Sequence, residues 1–374
     1  MNKTNKKIVI AFGTRPEAIK MCPVVRYLKD KKDIDVRVVF TGQHRELADG
    51  ALNLFDVSPD YDMNIMRPAQ SLFDVTQNIL GGIRDILCQE QPDTVMVHGD
   101  TTTAFAVALA AFYMNIPVAH VEAGLRSYNM NEPFPEEFNR RAVTLIASLH
   151  FAPTQRAAEN LMNEGVPLAN ICVTGNTVID AMKYTVSDKY VSPYIKKDGV
   201  ERLIFLTAHR RESLDGGLEN MLLAVKDITK KYGDVRVLYP VHPNPKIKSV
   251  AERILGGCER VTMCPPLDVV DCHNIMAQSY LLLTDSGGIQ EEAAALGVPA
   301  LVMRNITERP EGILAGVAKL AGTDRYQITA TVSELLDNPL LHSEMRSAPN
   351  PYGDGNACQR IWERLKKVTE GNEY

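Results

Sequence analysis

The sequence predicts an α/β fold built as two doubly wound, parallel-sheet halves. Three observations predict it. Short apolar runs alternate with helical patterns along the chain, the runs end in polar turns, and the alternation halts once, over residues 187–199, before restarting. At 374 residues the chain is long enough for two cores.

The first strand is read over 8–12 and runs into GTRPEAIKMCPVVRYLKD. There Gly13 supplies a tight turn and Pro16 suits the first helical turn. Ile19, Val24 and Leu28 recur at helical spacing, and Pro23 marks an expected kink. A second strand, 36–41, ends in GQHRE. A helix over 72–88 leads to a strand over 94–98, which ends in GDTTT and a helix of small residues. The strand 118–121 ends in EAGLR, and the loop SYNMNEPFPEEFNR enters the next helix. A short strand near Phe151 and another over 171–174 close the first half.

After the polar stretch the strands 203–206, 235–239, 261–263, 280–284 and 300–303 end in TAHRRES, PVHPNP, CPPLD, DSGG and RNITERPEG. The final helix, in NPYGDGNACQRIWERLKK, carries Ile361, Trp362 and Leu365. Two Rossmann-like domains facing a cleft are therefore expected: 1–178 with 356–374, and 179–355. A mononucleotide-sized ligand is expected in the cleft between their strand carboxyl ends.

Composition narrows the function. Hydrophobic residues make up 45% and charged ones 23%, and a net charge of −5 gives no case for nucleic acid or an anionic membrane. The apolar run near the N-terminus, about five residues, is too short for a secretory core. No stretch approaches the roughly twenty apolar residues of a membrane span. Seven cysteines without a CxxC pair suggest reduced thiols and a cytoplasmic protein. The spacing of Cys258, Cys264 and Cys272 fits no zinc pattern, so no metal is expected.

The stretch 281–297, LLLTDSGGIQEEAAALG, is an apolar strand, a Ser-Gly-Gly turn and a helix opening with two glutamates. Free backbone N–H groups and the positive end of a helix dipole meet at such a turn, which suits a phosphate. Ser286 can cap the helix, Gly287 and Gly288 admit a diphosphate, and Glu292 can accept hydrogen bonds from ribose hydroxyls. An ordinary N-capped helix start fits the segment equally well.

Other strand ends carry Arg15, Gln43, His44, Asp100, Glu122, Glu136, His209, Arg210, His242 and Arg309. Each has a structural alternative. Asp100 precedes three threonines and could be a plain N-cap. Glu122 faces either a cleft or a buried partner such as Arg126, and Glu136 with Glu137 could simply favour a helix dipole. His209 could be a satisfied structural histidine. Arg15, between Gly13 and Pro16, reads better as an anion contact than as a surface cation. Together these groups exceed what a scaffold needs.

The strings FGTRPEAIKM, HGDTTT, HVEAGLRS, PEEFNR, TGNTVIDA, AHRRES, PVHPNP, TDSGGIQEEAAALGVP, TERPEG and NPYGDG resemble those of the non-hydrolysing UDP-N-acetylglucosamine 2-epimerases. The resemblance runs from about residue 8 to residue 365. It implies a glycosyltransferase-B (GT-B) type fold, a cytoplasmic homodimer, and interconversion of UDP-GlcNAc and UDP-ManNAc without NAD or metal. Members eliminate UDP to give 2-acetamidoglucal and add it back, often in surface polysaccharide synthesis.

By the same resemblance Asp100, Glu122 and Glu136 are acid/base carboxylates and His209 lies against the diphosphate or the leaving oxygen. Lys20 belongs to the substrate site, Glu292 clamps ribose, Arg309 contacts phosphate or sugar, and Leu267 and Cys272 lie on the uracil loop. Gln43, His44, Gln70, Arg210, Glu212 and His242 match an activator site for a second UDP-GlcNAc. Departures stand at Glu46, at Ala69 where relatives carry arginine, at the loop 127–134, and at Cys272 where several carry phenylalanine. The alternatives are an epimerase of another UDP-2-acetamido sugar, a hydrolysing relative, a UDP-sugar glycosyltransferase, and a sensor without turnover.

Overall fold

The computed structural model describes residues 6–43, 48–67, 69–195, 202–208 and 217–369. The chain forms two compact units, Met1–Tyr184 with Gly353–Tyr374, and Thr185–Tyr352.

In the first unit the elements run β1 (Lys6–Phe12), α1 (Arg15–Lys29), β2 (Ile34–Phe40), α2 (Ala48–Leu54), β3 (Tyr61–Asp62), α3 (Leu72–Glu90), β4 (Thr94–His98), α4 (Thr102–Tyr113), β5 (Val118–Val121), α5 (Glu136–Ile146), β6 (Leu149–Ala152), α6 (Gln155–Asn163), β7 (Ile171–Val173) and α7 (Thr177–Thr185). The strands lie in the order β3-β2-β1-β4-β5-β6-β7, all parallel. β1 pairs with β2 on one side and β4 on the other, so the winding reverses between β1 and β4. A crevice opens at the carboxyl ends of strands at such a reversal.

The sheet is covered on both faces. Ile8, Ile10, Phe12, Met21, Val25, Val38 and Phe40 pack in one buried cluster, and Val9, Ala11, Val39, Val95, Val97 and Val107 in another. Alternate residues of β1 thus feed opposite cores, which is why the strand is apolar throughout rather than alternating.

The second unit repeats the plan with β8 (Arg202–Thr207), α8 (Gly217–Lys231), β9 (Val235–Pro240), α9 (Pro245–Leu255), β10 (Val261–Cys264), α10 (Val269–Ala277), β11 (Leu281–Thr284), α11 (Gly287–Leu296), β12 (Ala300–Val302), α12 (Pro310–Ala315), β13 (Ala318–Leu320), α13 (Arg325–Asp337) and α14 (Pro339–Ser347). Its order, β10-β9-β8-β11-β12-β13, places the reversal between β8 and β11. Among the described residues no helix is long and apolar enough to cross a membrane.

The last helix, α15 (Ala357–Thr369), belongs to the first unit. Ile361 and Leu365 are buried in its core, and Asp180 of α7 accepts from the amides of Ala357 and Cys358, both at 3.1 Å. That carboxylate satisfies N–H groups a helix start leaves unpaired.

The divisions between the units fall after Tyr184 and before Gly353, close to the expected bounds at 178/179 and 356. The described part of the stretch read as a linker, 187–195, is anchored to the second unit: Ser187 N donates to Asn274 at 2.8 Å and Tyr190 bonds Asp271. α1 holds Pro23 within its span, the position where a kink is expected. β3 and β13, of two and three residues, carry too little apolar pattern to be read.

Candidate active site

Three strand-end turns bring the acids of the first unit together. After β1, Thr14 caps α1 in a reciprocal capping box with Glu17, and Pro16 sits in the first turn. Gly13 is needed for close approach: a Cβ there would lie 1.9 Å from Thr41 Oγ1 and 2.6 Å from Thr103 Oγ1. Arg15 is thereby fixed as the first residue of α1, at the winding reversal. Glu17 is 2% exposed and accepts from Gly13 N, Thr14 N, the Thr14 hydroxyl and, at 2.8 Å, the Thr101 hydroxyl. Burial raises its carboxyl pKa against the lowering effect of nearby His98 and these bonds.

After β4, Thr101 and not Asp100 caps α4, its hydroxyl accepting from Ala104 N at 3.1 Å. The N-cap reading of Asp100 is therefore wrong. Its carboxylate instead pairs with Arg140 of α5, and its carbonyl accepts from Asn139 Nδ2 at 2.9 Å.

After β5, Glu122 has a left-handed backbone, φ +62°, that re-aims its side chain. Its Oε2 pairs with Lys20 Nζ of α1, accepts from Asn176 Nδ2 at 3.0 Å, and lies 3.6 Å from His98 Nε2. The alternative partner Arg126 turns away to Glu164, at 2.7 Å. His120, behind the turn, bonds Gly99 O at 2.7 Å through Nε2, and burial pushes its pKa down to about 3.

Glu136 opens α5 and is part-exposed, whereas Glu137 is fully buried and accepts from Ser127 N at 2.9 Å and Tyr128 N at 3.1 Å. Two adjacent acids at one helix start thus diverge, one toward solvent and one toward the loop. Lys20, Asp100 and Glu122 lie in this constellation. His98, Asn139, Arg140 and Asn176 were not singled out from sequence, although HGD, FNR and GNT sat in the quoted strings. What could have found them is their position: each lies within four residues of a recognised acid or at a strand's carboxyl end.

The second unit supplies an anion-type turn. β11 ends at Thr284, whose hydroxyl accepts from Ser286 N at 2.9 Å. Ser286 is the N-cap residue of α11 by backbone, but its side chain makes no capping bond, which corrects the capping expectation. A Cβ at Gly288 would meet nothing within 4 Å, so the space over the first turn is open. The first-turn N–H groups of α11 can therefore serve a ligand.

Gln290 ties this turn to the next loop through Ser286 O at 3.1 Å and the Thr307 hydroxyl at 2.8 Å. Thr307 in turn accepts from Arg309 N at 3.0 Å, and the Arg309 guanidinium pairs with buried Glu291. Glu292 lies 3.6 Å from His273 Nε2, whose Nδ1 meets the Thr185 hydroxyl at 2.7 Å. Leu267 is buried before α10, whereas Cys272 lies within that helix and not on a loop.

Of the residues matched to an activator site, Gln43 accepts from the Thr103 hydroxyl at 2.8 Å, and His242 Nδ1 accepts from Asn244 N at 3.1 Å. Gln70 staples its own loop through Ile65 O and Arg67 N, both at 2.8 Å. Neighbouring Ala69 is left-handed, φ +58°. His44, His209, Arg210 and Glu212 lie outside the described residues.

Comparison with known proteins bears on this arrangement. The sequence profile described as UDP-N-acetylglucosamine 2-epimerase matches residues 26–366. The chain is 50% identical over 359 residues to the UDP-N-acetylglucosamine 2-epimerase of Bacillus subtilis, covering 96% of this chain and 94% of that one. Among solved structures, S. aureus MnaA with UDP superposes with a TM-score of 0.92 at 48% identity, covering 98% and 97% of the two chains. The UDP-GlcNAc 2-epimerase of Neisseria meningitidis bound to UDP-GlcNAc gives 0.90 at 42%, covering 96% and 100%. A lipopolysaccharide outer core galactosyltransferase, at 13% identity and TM-score 0.59, shares the fold alone, which is of the GT-B type. With a profile spanning most of its length and relatives near half identical over nearly all of it, the chain belongs to the UDP-N-acetylglucosamine 2-epimerase family.

Proposed function

We propose that this enzyme interconverts UDP-GlcNAc and UDP-ManNAc by anti elimination of UDP and its re-addition, without hydrolysis. The observation that carries the reading is the convergence of Asp100, Glu122 and Lys20 at the reversal of the first sheet, beside the head of α5 that bears Glu136.

Inverting C2 is hard because no carbonyl activates its hydrogen. Elimination resolves this. One carboxylate takes the C2 proton, the C–H electrons form the C1–C2 double bond, and the C1–O electrons leave with UDP. In the return step UDP oxygen attacks C1 while a second group protonates C2 on the opposite face. Two faces need two groups, and Asp100, Glu122 and Glu136 offer them. Negative charge growing on the departing diphosphate needs preset donors, a role assigned to Arg15, His209, Arg309 and the Ser286–Gly287–Gly288 turn. Glu292 takes ribose hydroxyls, and Leu267 and Cys272 line the uracil. The chemistry requires no metal or redox cofactor. The known relatives bound to UDP or UDP-GlcNAc support the substrate class.

Incubation with UDP-GlcNAc alone in D₂O, followed by NMR, tests this. Deuterium at C2 with UDP-ManNAc appearing is expected. Absence of C2 exchange refutes the epimerase, free ManNAc with UDP indicates hydrolysis, and inertness until an acceptor is added indicates a transferase.

The same reading includes a cytoplasmic homodimer that supplies surface polysaccharide synthesis. The first unit leaves Phe73, Phe112, Tyr113, Phe134 and Leu145 exposed on and beside α3, α4 and α5, with a groove of about 810 Å³ between α3 and Phe134. A second copy of the chain is the occupant this reading assigns to that apolar face. The activator role that the resemblance gives to Gln43, His44, Gln70, Arg210, Glu212 and His242 is weak in this reading, because Ala69 brings no cation to a diphosphate.

A further inference from the structure

Helix α5 carries four polar side chains within its first turn and a half. Glu136 is the part-exposed candidate acid/base. Glu137 is buried and holds the amides of Ser127 and Tyr128. Asn139 donates to the carbonyl of Asp100, and Arg140 pairs with its carboxylate. Arg140 also reaches back one turn to Glu137, Nη1 to Oε2 at 3.3 Å. Residues three and four apart on a helix are neighbours, so Arg140 stands one turn on from both Glu136 and Glu137, between the two directions in which they diverge.

We infer that Arg140 is a positioning residue: it fixes the Asp100 carboxylate relative to Glu136 and couples both to the loop 127–134. The inference rests on the acid/base reading above. Its physical basis is the guanidinium itself. A planar fork can hold two carboxylates in a set direction, whereas an ammonium attracts without directing. Arg140 spends Nη2 on Asp100 and Nη1 on Glu137; its side chain is 10% exposed and that of Glu137 is fully buried, so water competes little for the bond that anchors the guanidinium. Asn139 meanwhile fixes the backbone of Asp100 from the same helix. Asp100 and Glu136 thus belong to different segments of chain yet share one rigid ruler, α5. Glu137 gives that ruler a second end, because the amides it accepts belong to the loop that departs from the family pattern.

A misplacement of about 1 Å in a reacting group costs on the order of 10²-fold in rate. Arg140→Met keeps the buried stem but removes the fork. It is expected to lower kcat by about 10²-fold with KM changed by less than about threefold, because the lost contact orients a reacting group and does not bind substrate. Arg140→Lys keeps charge without the fork and is expected to fall between, near tenfold.

The decisive comparison is the double variant. If Arg140 acts through Asp100, Asp100→Asn with Arg140→Met is no slower than Asp100→Asn alone, within about threefold. Rates are followed by UDP-ManNAc formation and C2 deuteration, and folding by thermal melting. Should Arg140→Met fail to fold, the same cycle is run with Arg140→Lys. Multiplicative losses in the double variant, or an Arg140→Met enzyme as fast as wild type, overturn the inference alone. A wild-type protein that exchanges no C2 hydrogen overturns the acid/base reading first.

Discussion

Replacing Glu122 by Gln separates chemistry from scaffold with a single heavy-atom exchange. The carboxylate pairs with Lys20, both side chains being little exposed at 11% and 13%, and accepts from Asn176 at 3.0 Å. The amide oxygen of Gln can still accept from Asn176, and the shape of the site is kept. What disappears is a proton acceptor and the countercharge to Lys20. For stability, a partly buried charge deprived of its countercharge costs about 1–3 kcal/mol. In a unit of about 200 residues that lowers the melting temperature by about 2–12 °C, leaving the protein folded at 25 °C. For activity, an acid/base group contributes about 10²–10⁴-fold, so kcat falls at least a hundredfold. Melting followed by circular dichroism and turnover followed by NMR at 25 °C read the two effects separately. A folded Glu122→Gln protein with kcat within about threefold of wild type would refute a chemical role for Glu122.

Two further outcomes are expected. Burial holds His120 and His150 neutral, with pKa values pushed down to about 3 and about 4, while the unfolded chain protonates them near 6.5. As pH falls below 6.5 the unfolded state binds protons that the folded state refuses, so stability drops by up to about 1.4 kcal/mol per pH unit for each. Between pH 6.5 and 5.0 the pair accounts for a loss of about 3 kcal/mol in urea unfolding, and His150→Asn should remove about half of that slope; an unchanged slope would contradict it. On the apolar face, the native chain is expected to sediment as a dimer and Phe73→Glu with Leu145→Asp as a monomer in sedimentation velocity. A native monomer, or an undisturbed dimer in the variant, removes that face from the reading.

Much of the fold was legible because its signals are local. The strands 94–98 and 118–121 are short apolar runs closed by polar turns, and the structure places them at the same residues. Where an expectation failed, a non-local contact had decided the matter. Asp100 stood before three threonines like an N-cap, but Thr101 took that place and Arg140, forty residues on, took the carboxylate. Arg126, four residues from Glu122, was claimed by Glu164.

By itself the sequence determined which chemistry stands at the strand ends. The turn at Ser286 is a strand, two glycines and a helix, and backbone geometry makes it an anion-type terminus whatever surrounds it. Tertiary structure alone decided which acids are held together and by what. Strand order brings the turns after β1, β4 and β5 side by side, and no local pattern encodes that order. Lys20 meets Glu122 across 102 residues because α1 returns over the reversal of the sheet. A charge pair of that span is fixed by packing of the whole unit, and only the packed unit reveals it.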